Sequence, residues 1–286
     1  MSAAKIRFVD ELVRRNLQMR DLWDGFSEHR RHVMELLADA AQDQAKPRRL
    51  CALGAGNCND LDLVHLLRSY EEIHLVDVDA AAVETGVARQ HVAGPRVRIH
   101  GRMDVTGCLH ALVRDLSASD IANGQLDGWL EKIRTLAPFP QPSPFCVVVS
   151  LGLVTQLGEI ALALLGGPAH PRGNDLLFAL RNHHLRKILE MTRPGGVAIL
   201  ITDVVSSATM PELGMIDERA LPREMYRQIA AKNFFTGANP YALEAMFRND
   251  ADLASRVSEV EMLDPWRWQQ GSRMLLVSGL RLRTNG

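Results

Sequence analysis

The residues best suited to chemistry gather in LCALGAGNCNDLDL, Leu50 to Leu63. An apolar run there ends in Gly54-Ala55-Gly56, and helical apolar spacing follows from Leu61 to Leu67. Glycines at a strand-to-helix junction allow a tight turn and let a ligand approach the main chain. A second apolar run, IHLVDVD (73–79), ends in Asp77 and Asp79, and Asp77 lies 21 residues past Gly56. A carboxylate at that point can accept two hydrogen bonds from a ribose diol. Strand, Gly-x-Gly, helix, strand and acid, in that order, describe a nucleoside pocket at the carboxyl ends of a parallel sheet.

The flanking residues narrow the ligand. A dinucleotide fingerprint places a third glycine where Asn59 stands, and Asp60 and Asp62 at the helix start would repel a pyrophosphate. A ligand with an amino group, a sulfonium charge and no phosphate, such as S-adenosylmethionine, suits that environment better. An NAD(P)-dependent oxidoreductase, a non-catalytic nucleoside-binding module and, more remotely, an aminopropyl transferase on the same fold stay open as alternatives.

These residues need a sheet to hold them. Residues 1–47 read as helices, with Ile6, Val9, Leu12, Val13 and Leu17 in one apolar stripe and Val33, Leu36, Leu37 and Ala40 in another. Asp24-Gly25 divides them, and Ser27 is the expected N-cap. From Arg49 strands alternate with helices: RLCALG (49–54), IHLVDVD (73–79), RVRIHG (96–101), FCVVVSLG (145–152) and VAILITD (197–203) are the strands. Helices are expected at 80–91 and 175–192, the latter stopped by Pro194-Gly195-Gly196. Ser117 to Pro144 reads as a short helix and a proline-marked extended loop (Pro138, Pro140, Pro142, Pro144). VSEVEML (257–263) and SRMLLVSGLRLR (272–283) flank a connection, Asp264 to Gly271, and predict a closing antiparallel pair. The fold class is α/β with a mostly parallel sheet.

GAGNCND, LVDVD and HGRMDVTG (100–107) resemble the first three cofactor-binding motifs of class I S-adenosylmethionine-dependent methyltransferases. FCVVVSLG resembles the fourth, and LEMTRPGGVAILITD (189–203) resembles the helix, turn and fifth strand. The resemblance spans 49–203 and 257–283. It implies one domain over 1–286 on a Rossmann-like seven-stranded sheet with an antiparallel last strand, a helical cap (1–47) and an inserted lid (204–255). It implies S-adenosylmethionine as cofactor, with Gly54, Ala55 and Gly56 lining its methionine moiety and ribose and Asn57 beside them. Asp77 would hold the ribose hydroxyls, with Asp79 its rival, and Val78 would pack on adenine. Asp104 would accept from the adenine amino group beside Val105, and Ser150 and Leu151 would sit near the methyl group. The family's usual third glycine is Cys58 here.

Methyl transfer requires alignment of a nucleophile, and a base only where a proton must leave. Asp203, read as the end of the fifth strand, and the loop residue His170 are the candidates for that base. His184 reads as a buried core histidine and His183 as its more exposed neighbour. For the acceptor, the cap offers Arg20, Trp23, Phe26 and His29, and the insertion offers Asn233, Phe235 and Tyr241. The tryptophans of PWRW (265–268) read as core-closing.

Composition limits the acceptor. Of 286 residues, 33 are Lys or Arg and 34 Asp or Glu, a net charge of −1 that argues against a polyanion-coating protein. With no NPPY-like sequence after strand four and no basic, aromatic-interleaved patch, a small-molecule acceptor is expected, without nucleic acid or membrane. Phe145 to Leu165 is apolar, but Ser150, Gly152, Gln156, Gly158 and Glu159 interrupt it, so it reads as a strand plus a helix. Four cysteines without a CxxC pair, and no carboxylate cluster beside Asp203, predict neither disulfide framework nor metal site. The start of the chain lacks a signal-peptide pattern, so a cytoplasmic location is expected. Oligomeric state is unreadable.

Overall fold

In the computed structural model, which describes residues 7–116, 123–136 and 144–286, one seven-stranded sheet runs in the order β3-β2-β1-β4-β5-β7-β6. Its strands are β1 (Arg49–Leu53), β2 (Glu72–Val76), β3 (Val97–His100), β4 (Phe145–Leu151), β5 (Thr192–Ser206), β6 (Val257–Gln270) and β7 (Arg273–Thr284). The first five are parallel, and β7 is antiparallel to both β5 and β6. This is the expected Rossmann-like architecture. Ile6 and the prolines 138, 140 and 142 lie outside the described residues.

Side chains alternate across a strand, so a strand covered on both faces is apolar throughout. Leu50 and Ala52 of β1 join one core cluster, and Cys51 and Leu53 join the other. All seven residues of β4 are buried. On the first face lie α2 (Ser27–Gln42), α3 (Leu63–Ser69) and α4 (Ala80–Arg89), through residues such as Leu37, Leu66 and Val83. On the second lie α7 (Leu153–Leu164), α8 (Gly173–Met191) and α10 (Pro240–Asn249), through Val154, Ile188 and Phe247. Helices α5 (Leu109–Leu116) and α6 (Asn123–Thr135) pack on α7 and α8. The cap is α1 (Arg7–Met19), and the insertion holds α9 (Leu221–Ala230), α10 and α11 (Ala251–Ala254). Phe145 to Leu165 resolves into β4 and α7, as its interruptions predict. Among the described residues no helix is long and apolar enough to cross a membrane.

Several boundaries differ from the sequence reading. Asp264 to Gln270 is strand: β6 takes up Asp264-Pro265 in a bulge between Leu263 and Trp266, where a proline costs no ladder bond. Strand β5 does not end at Asp203 but runs to Ser206 with a bulge between Asp203 and Val205. Pro194-Gly195-Gly196 falls inside the assigned strand, where the register against β4 is irregular, and regular pairing starts at Val197. Ser27 is the first residue of α2 and makes no side-chain cap, because a short 3-10 turn at Asp24–Phe26 leads directly into the helix.

Helix α4 seats against the glycine loop through Gly86. A Cβ there would lie 2.3 Å from the Asn57 carbonyl oxygen. Gly86→Ala is therefore expected to lower unfolding stability by about 1–3 kcal/mol, as overpacking does, measured by urea denaturation. An unchanged midpoint would mean that the loop yields without cost.

Candidate active site

The strand order reverses between β1 and β4, and ligands in such sheets bind beyond the carboxyl ends at that switch point. A cavity of about 540 Å³ lies there, lined by the ends of β1, β2 and β4, by mid-β5, and by α1, α7 and the β6–β7 hairpin.

Its floor is the glycine loop. Gly54 (φ +76°) and Gly56 (φ +46°) take the left-handed backbone that side chains disfavour, and a Cβ on Gly54 would meet the Leu151 carbonyl at 2.9 Å. Cys58 also has φ +53°, so a buried cysteine adopts the glycine-like conformation. The loop's N–H groups are consumed internally. Gly54 and Ala55 donate to Val76 O (2.9 and 3.2 Å), Gly56 to Asp77 Oδ2 (2.8 Å) and Cys58 to Ala55 O (2.8 Å). Asp77 Oδ1 accepts from Asp79 N at 2.9 Å, and burial raises the Asp77 carboxyl above its ordinary pKa. Asp79, the rival acid, accepts from Ala82 N as the cap of α4 and from Asn16, and does not line the cavity.

Over the floor lies α1 of the expected helical cap, through residues that the sequence reading did not single out. Asn57 donates to Asn16 O (2.6 Å), Asn59 to Met19 O (2.7 Å) and Arg89 to Arg20 O (2.8 Å). Arg15 pairs with Glu159 of α7 at 2.5 Å across the cavity mouth. Gln156 and Glu159, polar residues one turn apart in the mostly apolar α7, line the cavity as well.

The far half of the cavity is acidic and aromatic. Asp203 lines it beside Phe235 and Arg273. Its carboxylate has no hydrogen-bond partner among the described residues. Burial pushes it up to about 6 from an ordinary 3.8; Asp60 and Glu159 add to the rise, while Arg273 and a protonated His29 oppose it. Trp266 Nε1–H donates to His29 Nδ1 at 3.0 Å. An indole is only a donor, so Nδ1 is the acceptor and the neutral ring carries its proton on Nε2. That nitrogen lies 3.2 Å from Asp60 Oδ1, out of line for a full hydrogen bond. Trp268 stacks on His29 at 4.2 Å and meets Phe26 edge-on at 4.8 Å. The tryptophans thus close the core, and Trp268 also lines the cavity.

Of the residues singled out from sequence, Gly54, Ala55, Gly56, Asn57, Asp77, Val78, Asp104, Val105, Leu151, Asp203 and Phe235 line this one cavity. Others do not reach it. Ser150 is fully buried and shares a 2.8 Å hydrogen bond with His184. His184 is buried as expected, but so is His183; burial lowers their pKa values to about 3 and about 4. His170 accepts from Arg172 N in the turn before α8. Trp23 is sandwiched between Arg30 (3.6 Å) and Arg89 (4.7 Å) outside the cavity. Asn233 is tied to Thr209 O and Gln228, and Tyr241 packs edge-on against Tyr226, both within the insertion. Asp104 does line the cavity, but its carboxylate already accepts from Thr106 N, Thr106 Oγ1 and Leu109 N. Among the described residues no group of three or more His, Cys, Asp or Glu side chains is placed to hold a metal ion.

No family model matches this chain, and no curated protein does. Among solved structures it is similar to the N-methyltransferase NodS from Bradyrhizobium japonicum WM9, at 12% identity and a TM-score of 0.48, over 92% of this chain and 98% of that one. The same protein in complex with S-adenosyl-L-homocysteine gives 13% and 0.45, over 90% and 87%. An rRNA methylase from Streptococcus thermophilus gives 10% and 0.38, over 88% and 95%.

The raised Asp203 pKa has a stability consequence of definite sign. The folded chain holds this proton more tightly than the unfolded chain, so the contribution is favourable at low pH and is lost as pH rises from about 4 through about 6. Asp203→Asn should therefore be more stable than the parent by about 1–3 kcal/mol near pH 7.5, with the difference vanishing near pH 4. Urea unfolding at both pH values measures it, and an equal gain at both would contradict the assignment.

Proposed function

We propose that this protein transfers a methyl group from S-adenosylmethionine to a small-molecule acceptor. The observation that carries this reading is the glycine loop itself. Every N–H that a phosphate would need in Gly54-Ala55-Gly56 is already donated within the protein, while the Asp77 carboxylate, held by main-chain N–H groups, borders the cavity as an acceptor. Helix α3 also starts only at Leu63, with its N-terminus capped by Asp62. A nucleoside without a pyrophosphate fits such a site, and a dinucleotide does not.

The group that would bind here supplies a methyl already activated by a sulfonium charge, so the protein's work is positioning. Asp77 would hold the ribose hydroxyls. Val78, Met103 and Val105 give the adenine an apolar slot. The Asp104 carboxylate, with one acceptor site left, would take the adenine amino group. Helix α1 would exclude water from above, and Asp203 would face the acceptor as the group able to take a proton. The size of the cavity supports a small acceptor, since small-molecule sites run to about 300–1,000 Å³ and this one must hold the cofactor as well. The carboxylates of Asp60, Asp203 and Glu159 in its wall disfavour a phosphate backbone.

Titration calorimetry tests the reading. S-adenosylhomocysteine should bind and NAD should not. Asp77→Ala should weaken S-adenosylhomocysteine by about 1.5–3 kcal/mol, the range for hydrogen bonds to a charged group. Binding of NAD without S-adenosylhomocysteine would overturn the proposal.

A further inference from the structure

The acceptor half of the cavity has a polarity of its own. Besides His29 and Asp60, its charged wall residues are Glu11, Arg15, Glu159, Asp203 and Arg273. Arg15 is shared by Glu159 and Glu11. Arg273 donates to the neutral Ser206 Oγ at 3.1 Å and lies 5.4 Å from the Phe235 ring centre, so it keeps its charge and partly offsets Asp203. Carboxylates still outnumber cations in this wall, with Glu11, Glu159, Asp60 and Asp203 set against Arg15 and Arg273. His29 Nε2 lies 3.2 Å from Asp60 Oδ1, while the Trp266 indole donates to its Nδ1.

Two buried polar atoms here lack partners. Asp60 Oδ1, an acceptor, has no hydrogen bond, and Trp268 Nε1, a donor in a ring only 9% exposed, has none either. Both residues line the cavity. Buried groups of this kind are normally satisfied, so orphans on one cavity wall point to a ligand that completes them. The ligand must donate to the carboxylates, carry positive rather than negative charge, and lie against the apolar faces of Phe26, Phe235 and Trp268.

We propose, resting on the methyl-transfer reading above, that the acceptor is a small amine whose nitrogen is held by Asp203 and Asp60 and whose carbon skeleton lies against Phe26, Phe235 and Trp268. An acceptor that reacts as a carboxylate, thiolate or phenolate would meet two like charges in this wall. The Asp203 carboxylate first takes a proton from the bound ammonium and so frees the nitrogen lone pair. The nitrogen then forms the new N–C bond as the C–S bond of S-adenosylmethionine breaks; the bonding pair stays on sulfur, leaving a neutral thioether and a protonated methylamine. Asp203 suits that exchange because burial holds its carboxyl near the middle of the accessible range, at about 6. The bulge between Asp203 and Val205 is the backbone device that sets this side chain at the cavity.

The test is binding to the full chain saturated with S-adenosylhomocysteine, read by calorimetry. Three skeletons are compared, 4-hydroxyphenylethyl, indolylethyl and n-butyl, each with an amine, an alcohol and a carboxylate head. In at least one series the amine should bind at least about tenfold tighter than its alcohol, as charge-assisted hydrogen bonds allow, and the carboxylates should not bind. Asp203→Asn should abolish that preference, and Asp203→Glu should restore it, with circular dichroism verifying that both variants fold. Alcohols or carboxylates that match the amines in every series would overturn the proposal. So would a complete lack of amine binding, or a preference that survives Asp203→Asn. Failure of S-adenosylhomocysteine itself to bind would instead remove the methyl-transfer reading beneath it, so the two failures are distinguishable.

Discussion

The Asp77 carboxylate accepts from the main-chain N–H groups of Gly56 and Asp79 at once, and so joins the loop after β1 to the turn after β2. Two adjacent parallel strands would otherwise end in independent loops. Joined, they form a fixed corner, and the cavity wall is built outward from it. Gly54 and Ala55 hang from the last carbonyl of β2, α4 packs on the loop through Gly86, and α1 lies across the top. The arrangement costs the carboxylate part of its hydration, which is why its pKa rises despite two N–H donors.

Much of this was legible because parallel strands covered on both faces must be continuously apolar. Leu50–Leu53, Ile73–Val76, Phe145–Leu151 and Val197–Ile201 announce themselves that way, and the acids and glycines at their ends then mark the ligand side of the sheet. The edge of the sheet was harder to read. Asp264 and Pro265 are turn residues by type, yet a bulge carries them inside β6, and only pairing with β7 reveals it. Of the acceptor residues chosen for mixed aromatic and polar character, Phe26, His29 and Phe235 line the cavity and others do not reach it. Trp23 packs against Arg30 and Arg89, Asn233 and Tyr241 meet partners within the insertion, and no local pattern says whether an aromatic side chain stacks on a ligand or on an arginine. His29 and Asp60 come together only because α2 crosses the end of the glycine loop, which is a tertiary fact.

Net charge near zero conceals an uneven local distribution. The chain as a whole is balanced, but the balance is achieved by surface pairs such as Arg14–Glu11 and Arg31–Glu35, whose charges are largely screened. Inside the cavity screening is weak, so Asp60 and Asp203 weigh more on the local field than the surface pairs do. What reaches that field is decided by α1, which stands between it and solvent.

Three of the bonds that hold the α1 segment down run in one direction. Asn57, Asn59 and Arg89, which belong to the core, donate to the main-chain carbonyls of residues 16, 19 and 20. A carbonyl is present whatever side chain it carries. That part of the instruction to close therefore resides in the glycine loop and α4, beside the contacts that Arg15 and Asn16 of the helix make with Glu159 and Asp79. Evolutionary drift along the outer face of α1 leaves the latch intact, whereas even a conservative exchange at Asn57 or Asn59 removes a donor. The cover of this cavity is thus free to diverge in sequence while its fastening is not.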